Sequence, residues 1–167
     1  LLATTGNNNT SVGFASMKTN AAGSRNTGLG QEALFTNATA HDNTSIGYQA
    51  GYTTTGADNV YVGAQAGKGA AGAESNNVGV GANALLAITS ATYNTSVGSG
   101  SGDALTTGAF NTSIGAVALS AATTALNNTA VGFNAMSDVK AGVAVDGCVA
   151  IGKGALIGNA NNTTGIN

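Results

Sequence analysis

Few residues in this chain have the type and spacing to do chemistry, and the first to test are glycines. Gly79-Val80-Gly81-Ala82-Asn83-Ala84 and Gly28-Leu29-Gly30-Gln31-Glu32-Ala33 both spell G-x-G-x-x-A, the turn on which a dinucleotide pyrophosphate rests. That chemistry needs a strand before the turn, a helix after it and a βαβ unit around it. Neither match has that setting. Gly63-Ala64-Gln65-Ala66-Gly67-Lys68 approaches a phosphate loop, but three residues separate its glycines instead of four. Gly69 also stands where the loop requires a hydroxyl.

Acid–base and metal chemistry fare no better. The single histidine, His41, precedes Asp42 in a loop and reads as a solvated side chain. One histidine, one cysteine and seven scattered acids supply no ligand cluster. A calcium-binding β-roll would carry an aspartate in every turn, and the repeated phrases here carry none. The sequence therefore predicts no catalytic residue, no cofactor and no metal. Cys148 cannot form an intrachain disulfide and reads as a small filler, with interchain pairing as the alternative. Sequons recur at Asn9, Asn43, Asn94 and Asn111, but these belong to a repeat whose asparagines are expected to be packed. A loop sequon such as Asn37-Ala38-Thr39 is the kind that a glycosylating host could modify.

The elements behind these echoes are copies of one phrase, Asn-Thr-Ser-Val-Gly. Its asparagines are Asn9, Asn26, Asn43, Asn59, Asn77, Asn94, Asn111 and Asn128, with Cys148 taking the ninth place. Its glycines are Gly13, Gly30, Gly47, Gly63, Gly81, Gly98, Gly115, Gly132 and Gly152, at intervals of 17, 17, 16, 18, 17, 17, 17 and 20 residues. A fixed short period means a unit that cannot bury its own apolar face and stacks on copies of itself. Val, Ile or Leu precedes each glycine, and Ala or Ser follows three residues later. The next position is large in six copies (Met17, Leu34, Leu85, Leu119, Met136, Leu156) and glycine in three (Gly51, Gly67, Gly102).

Thr, Val and Ile before the glycine predict a strand. Its side chains alternate, so Thr10 and Val12 share one face while Asn9 and Ser11 share the other. The first face is apolar or β-branched in every copy. The second is thin, with Ser, Gly or Ala in all but Tyr61. Both faces are expected to be packed, and the alternation leaves open which of them faces the interior. A period near 17 accommodates two strands of about five residues and two turns, one rung of a β-solenoid. Nine rungs at about 4.8 Å give a rod of roughly 40 Å. The glycine belongs at a bend, and the asparagines form an amide ladder along the rod. The longest insertion, Asp138 to Gly147, is the expected protrusion.

Composition sets bounds. Charged residues are 7%, net charge is −2, aromatics are 5%, and Trp and Pro are absent. No basic stripe serves nucleic acid, and no apolar run spans a membrane. The chain reads as one domain, 1–167. Thr163-Thr164-Gly165 restates the run-in at Thr4-Thr5-Gly6, which suggests a window on a longer rod. The threonine column (Thr10, Thr27, Thr44, Thr95, Thr112, Thr129) raises ice binding, but Val60, Val78 and Val149 interrupt it, and burial against the aliphatic column explains both facts.

The phrase as it stands in Asn128-Thr129-Ala130-Val131-Gly132-Phe133-Asn134-Ala135-Met136 resembles the head repeat of YadA-type trimeric autotransporter adhesins. It is still more similar to the related repeats of bacteriophage tail fibres. The resemblance covers essentially the whole chain. It implies a left-handed parallel β-roll in which three chains wrap one axis, with the phrase as the inner strand. The longer rungs and the three glycines after the conserved alanine depart from the family pattern. The expectation is an all-β, homotrimeric, non-enzymatic fibre segment, extracellular on a virion or a cell. Its partners would be itself, including end-to-end filaments, and a host-surface receptor, with neither nucleic acid nor membrane insertion. The alternative is a free-standing ice-binding or filament-forming solenoid.

Overall fold

The structure, a computed structural model, describes residues 5–69, 72–138 and 146–157. The expected protrusion and the terminal run at 163–165 therefore lie wholly or largely outside the described residues. Nine strands follow one another: β1 (Thr10–Val12), β2 (Thr27–Leu29), β3 (Thr44–Ile46), β4 (Val60–Val62), β5 (Val78–Val80), β6 (Thr95–Val97), β7 (Thr112–Ile114), β8 (Thr129–Val131) and β9 (Val149–Ile151). They form one parallel sheet in chain order. Threonine pairs with threonine and aliphatic with aliphatic, as in Thr10↔Thr27 and Val12↔Leu29, so the columns read in the sequence are axial columns in space. The fold is a β-solenoid, and the described residues contain no helix.

The strands are shorter than the period suggested. Each has three residues, and the far side of the coil pairs only through single bridges, Ser75↔Thr92, Thr92↔Ala109, Ala109↔Leu126 and Leu126↔Asp146. Backbone conformation explains the shortening. The residue before each asparagine (Asn8, Arg25, Asp42, Asp58, Asn76, Tyr93, Phe110, Asn127) is left-handed, with φ between 57° and 61°. A left-handed residue cannot continue a pleat. At the other end the repeat glycines hold φ between 126° and 135° and turn the chain out of the sheet. A Cβ on Gly81 would sit 2.5 Å from the carbonyl oxygen of Gly98, so dihedral angle and space both demand glycine there.

The thin column points inward: Ser45, Tyr61, Ser96, Ser113 and Ala130 are fully buried. The core is completed from beyond the glycine, where Met17, Leu34, Leu85, Leu119 and Met136 are fully buried too. The three glycines in that second column are compensated locally. The Tyr61 ring occupies the space over Gly67, where an added Cβ would lie 2.4 Å from its atoms. Leu105 and Leu85 close over Gly102, while Thr54 and Leu34 close over Gly51. Volume is conserved within a narrow layer although the residues that supply it change.

Candidate functional site

The asparagines line up where each strand begins. The Oδ1 of each accepts the backbone N–H of its successor, from Asn26 N–H on Asn9 at 2.9 Å to Cys148 N–H on Asn128 at 2.9 Å. The side-chain amide donates to a carbonyl of the next turn, for example Asn94 Nδ2 to Gly108 O at 2.9 Å. In the middle of the rod it also donates back to the preceding side chain, as Asn94 does to Asn77 Oδ1 at 3.1 Å. Asn26 through Asn128 are fully buried. The carboxamide supplies acceptor and donor together, so one side chain satisfies backbone groups that the short strands leave over. Asn9 to Asn128 and Gly13 to Gly152 thus form two axial columns bracketing the sheet. At the first turn Gly13 borders an open depression together with Ser11, Phe14, Lys18, Glu32 and Phe35.

The chemistry-like residues fall inside this frame. Gly28 and Gly79 are buried in the thin column, the first against Ser16 and Met17 and the second against the Tyr61 ring. His41 is exposed, and its Nδ1 accepts the Ser24 N–H at 2.9 Å. Asp42 instead takes both forks of Arg25 at 2.6 Å, which holds its carboxyl below the usual range. The neighbours His41 and Asp42 therefore serve different backbone and side-chain partners and do not form a dyad. Among the described residues no three His, Cys, Asp or Glu side chains gather. The loop sequon at Asn37 is not accessible as expected: Asn37 is fully buried, and its Oδ1 accepts the Ala40 N–H at 3.1 Å.

The other strand face is outside. Val12 is 55% exposed and Ile151 71%, with Leu29, Val97 and Ile114 also exposed and Ile46, Val62, Val80 and Val131 half-buried between them. The threonine column beside them is half-exposed along most of its length, so burial within the coil does not account for it. Phe14, Tyr48 and Phe133 lie just past the glycines and widen the stripe. At about 38 Å by 10 Å the stripe covers about 400 Å², within the range of the largest apolar patch on a typical soluble protein, a patch that is often functional.

Comparison with protein-family models, curated proteins and solved structures finds no match.

The functional reading of this chain therefore stands on its own geometry. Two aromatic ladders also follow the period: Tyr93 stacks on Phe110 at 5.1 Å, and Phe35 stacks on Tyr52 at 4.9 Å beneath Lys18. Sequence reasoning passed over them, although spacings of 17 residues in both pairs were there to be read. No helix among the described residues is long and apolar enough to cross a membrane. What the arrangement offers is a stiff coil with one long apolar side.

Proposed function

We propose that this chain is a structural and adhesive fibre segment, non-enzymatic and homotrimeric, whose copies meet along the outward stripe of Val12, Leu29, Val97, Ile114 and their equivalents. One observation carries the reading: an apolar column runs without a charge along all nine strands and lies outside the coil. Water contact along that column is costly, at about 25 cal/mol per Å² of apolar surface. A second copy with the same spacing offers a matching face over the whole length. The number three comes from the resemblance to adhesin heads and tail-fibre repeats, in which the corresponding strand faces a threefold axis. A rod of this kind would hold a receptor-binding tip away from a virion or cell surface and present it in several copies.

Light scattering after size exclusion, on the chain at micromolar concentration, tests the assembly. The expected mass is three times that of the chain, and Val97→Lys is expected to dissociate it while leaving the β circular-dichroism signal. A folded monomer would refute the proposal. One observation favours a second reading: the Thr and aliphatic columns are open to solvent side by side, as a water-ordering face requires. A monomer that depresses the freezing point of its solution below the melting point would establish that reading instead.

A further inference from the structure

The column three residues before each asparagine faces the coil interior and is otherwise small: Gly23, Ala40, Gly56, Ala91, Gly108 and Ala125. Glu74 occupies that column between Gly56 and Ala91, and it is 2% exposed. Its Oε1 accepts the Thr55 N–H at 3.2 Å, whereas its Oε2 makes no hydrogen bond to a protein group. The same holds for three other buried oxygens in this part of the coil, Tyr61 OH, Thr54 Oγ1 and Ser45 Oγ. Two of them lie together: a Cβ placed on Gly51 would touch Ser45 Oγ and Thr54 Oγ1. The Tyr61 phenol is pushed well above its usual range, by burial first and by the Glu74 charge second.

We propose that Glu74 is a proton-operated latch of the coil interior: protonated, its buried carboxyl sits uncharged in the small column and the turns from β3 to β5 stay closed, and ionised, its unpaired charge lets them open. A neutral carboxyl is far less costly to bury than an ionised one. A carboxylate brings an unpaired charge into the interior, where no cation answers it. Of the charged or titratable groups on adjacent turns, His41, Asp42, Tyr48, Asp58 and Tyr93 are exposed, Tyr52 and Lys68 are half-exposed, and Tyr61 is buried. What acts on the carboxyl is burial, opposed by the backbone N–H groups of Glu74, Thr55 and Gly56.

Burial prevails and pushes the Glu74 carboxyl up to about 7 from 4.5. A raised carboxyl pKa makes the closed coil bind its proton more tightly than the open one. The contribution to stability is therefore complete below about pH 4.5 and is lost as pH rises to about 7. Between pH 5.5 and 8.5 the opening constant of these turns should rise roughly 30-fold.

Amide exchange read by mass spectrometry, and corrected for the chemical exchange rate, measures this directly. Peptides spanning 53–76 report on the latch, and peptides spanning 112–131 in the same molecule are the reference. The expected result is a protection loss near 30-fold, relative to the reference, between the two pH values. In Glu74→Gln, and in Glu74→Ala, which restores the usual residue of the column, that pH dependence should vanish. A wild-type change within 3-fold of the reference, or a change that persists in either variant, overturns the latch. The measurement concerns one coil, so its failure would leave the proposed assembly untouched.

Discussion

Removing one amide from the ladder is the sharpest test of why these strands can be so short. In Asn94→Ala the Asn111 N–H loses its 3.0 Å acceptor and the Gly108 carbonyl loses its 2.9 Å donor. Both groups are buried in the coil. Leaving a buried polar group unpaired costs about 1–3 kcal/mol, so two such groups and the small void put the loss near 3–5 kcal/mol. That is a large share of the 5–15 kcal/mol typical of a domain. Asn94→Asp separates hydrogen bonding from volume. In acid the introduced carboxyl is neutral, keeps its acceptor and offers an O–H, so a cost of about 1 kcal/mol is expected. Burial raises its pKa above that of the unfolded chain. Stability is then retained below about pH 4 and lost as pH rises, by about 1.4 kcal/mol per unit until the folded pKa is passed. Urea midpoints of wild type and both variants at pH 4, 5.5 and 7 read this, and differences from wild type cancel any titration the variants share with it. If Asn94→Ala stays within about 1 kcal/mol of wild type, or if the Asp variant's deficit does not grow with pH, the ladder is not what closes the coil.

Two further predictions concern the interior and the backbone. Tyr61→Ser should cost about 3–5 kcal/mol by emptying the layer that the ring fills, and Gly67→Leu should cost a similar amount by colliding with that ring. The double variant restores the arrangement of the neighbouring turn, Gly79 with Leu85, and a double-mutant cycle should show a favourable coupling of at least 2 kcal/mol. Val117 is β-branched yet left-handed, with φ of 51°, in a column that elsewhere holds Ala15, Glu32, Gln49, Gln65, Asn83, Gly100, Asn134 and Gly154, none of them β-branched. Val117→Asn should therefore raise the melting temperature, by the equivalent of about 1 kcal/mol.

Much of the fold was legible because the repeat states it nine times. The columns of Asn9 and Gly13 predicted an amide ladder and a glycine bend, and both follow from what a carboxamide and a missing Cβ can do that other residues cannot. Strand length was not legible. Five of the eight residues before the asparagines are Asn or Asp, types enriched in the left-handed region, but Arg25, Tyr93 and Phe110 interrupt that signal, so residue type alone does not announce a shared conformation. That conformation is imposed by the stacking of turns: Arg25 N–H reaches Asn7 O and Asp42 N–H reaches Ser24 O only when the chain turns there. The accessibility of Asn37 was misjudged for a similar reason, since a loop in a solenoid is itself a stacked column with an interior.

Which face of the strand points inward was the question that alternation could not answer, and width is what answers it. A sheet that packs on another element turns its apolar face inward, and by that habit Val12 and Thr10 would be the core. Here a single coil of about 17 residues must close on itself with strands of three, and the space directly beneath each strand admits only one large side chain, with Ile88 and Leu105 filling the coil further round. That side chain already comes from beyond the glycine, in Met17, Leu34, Leu85, Leu119 and Met136. The strand must then contribute something small, which Ser45, Gly79, Ser96, Ser113 and Ala130 do. Tyr61 proves the rule by exception, since it enters only where Gly67 gives up the place of the large residue. With the interior filled, the β-branched face is left outside by volume alone. An apolar column that the coil has no room for needs another use, and a neighbouring copy with the same spacing is the simplest surface to supply it.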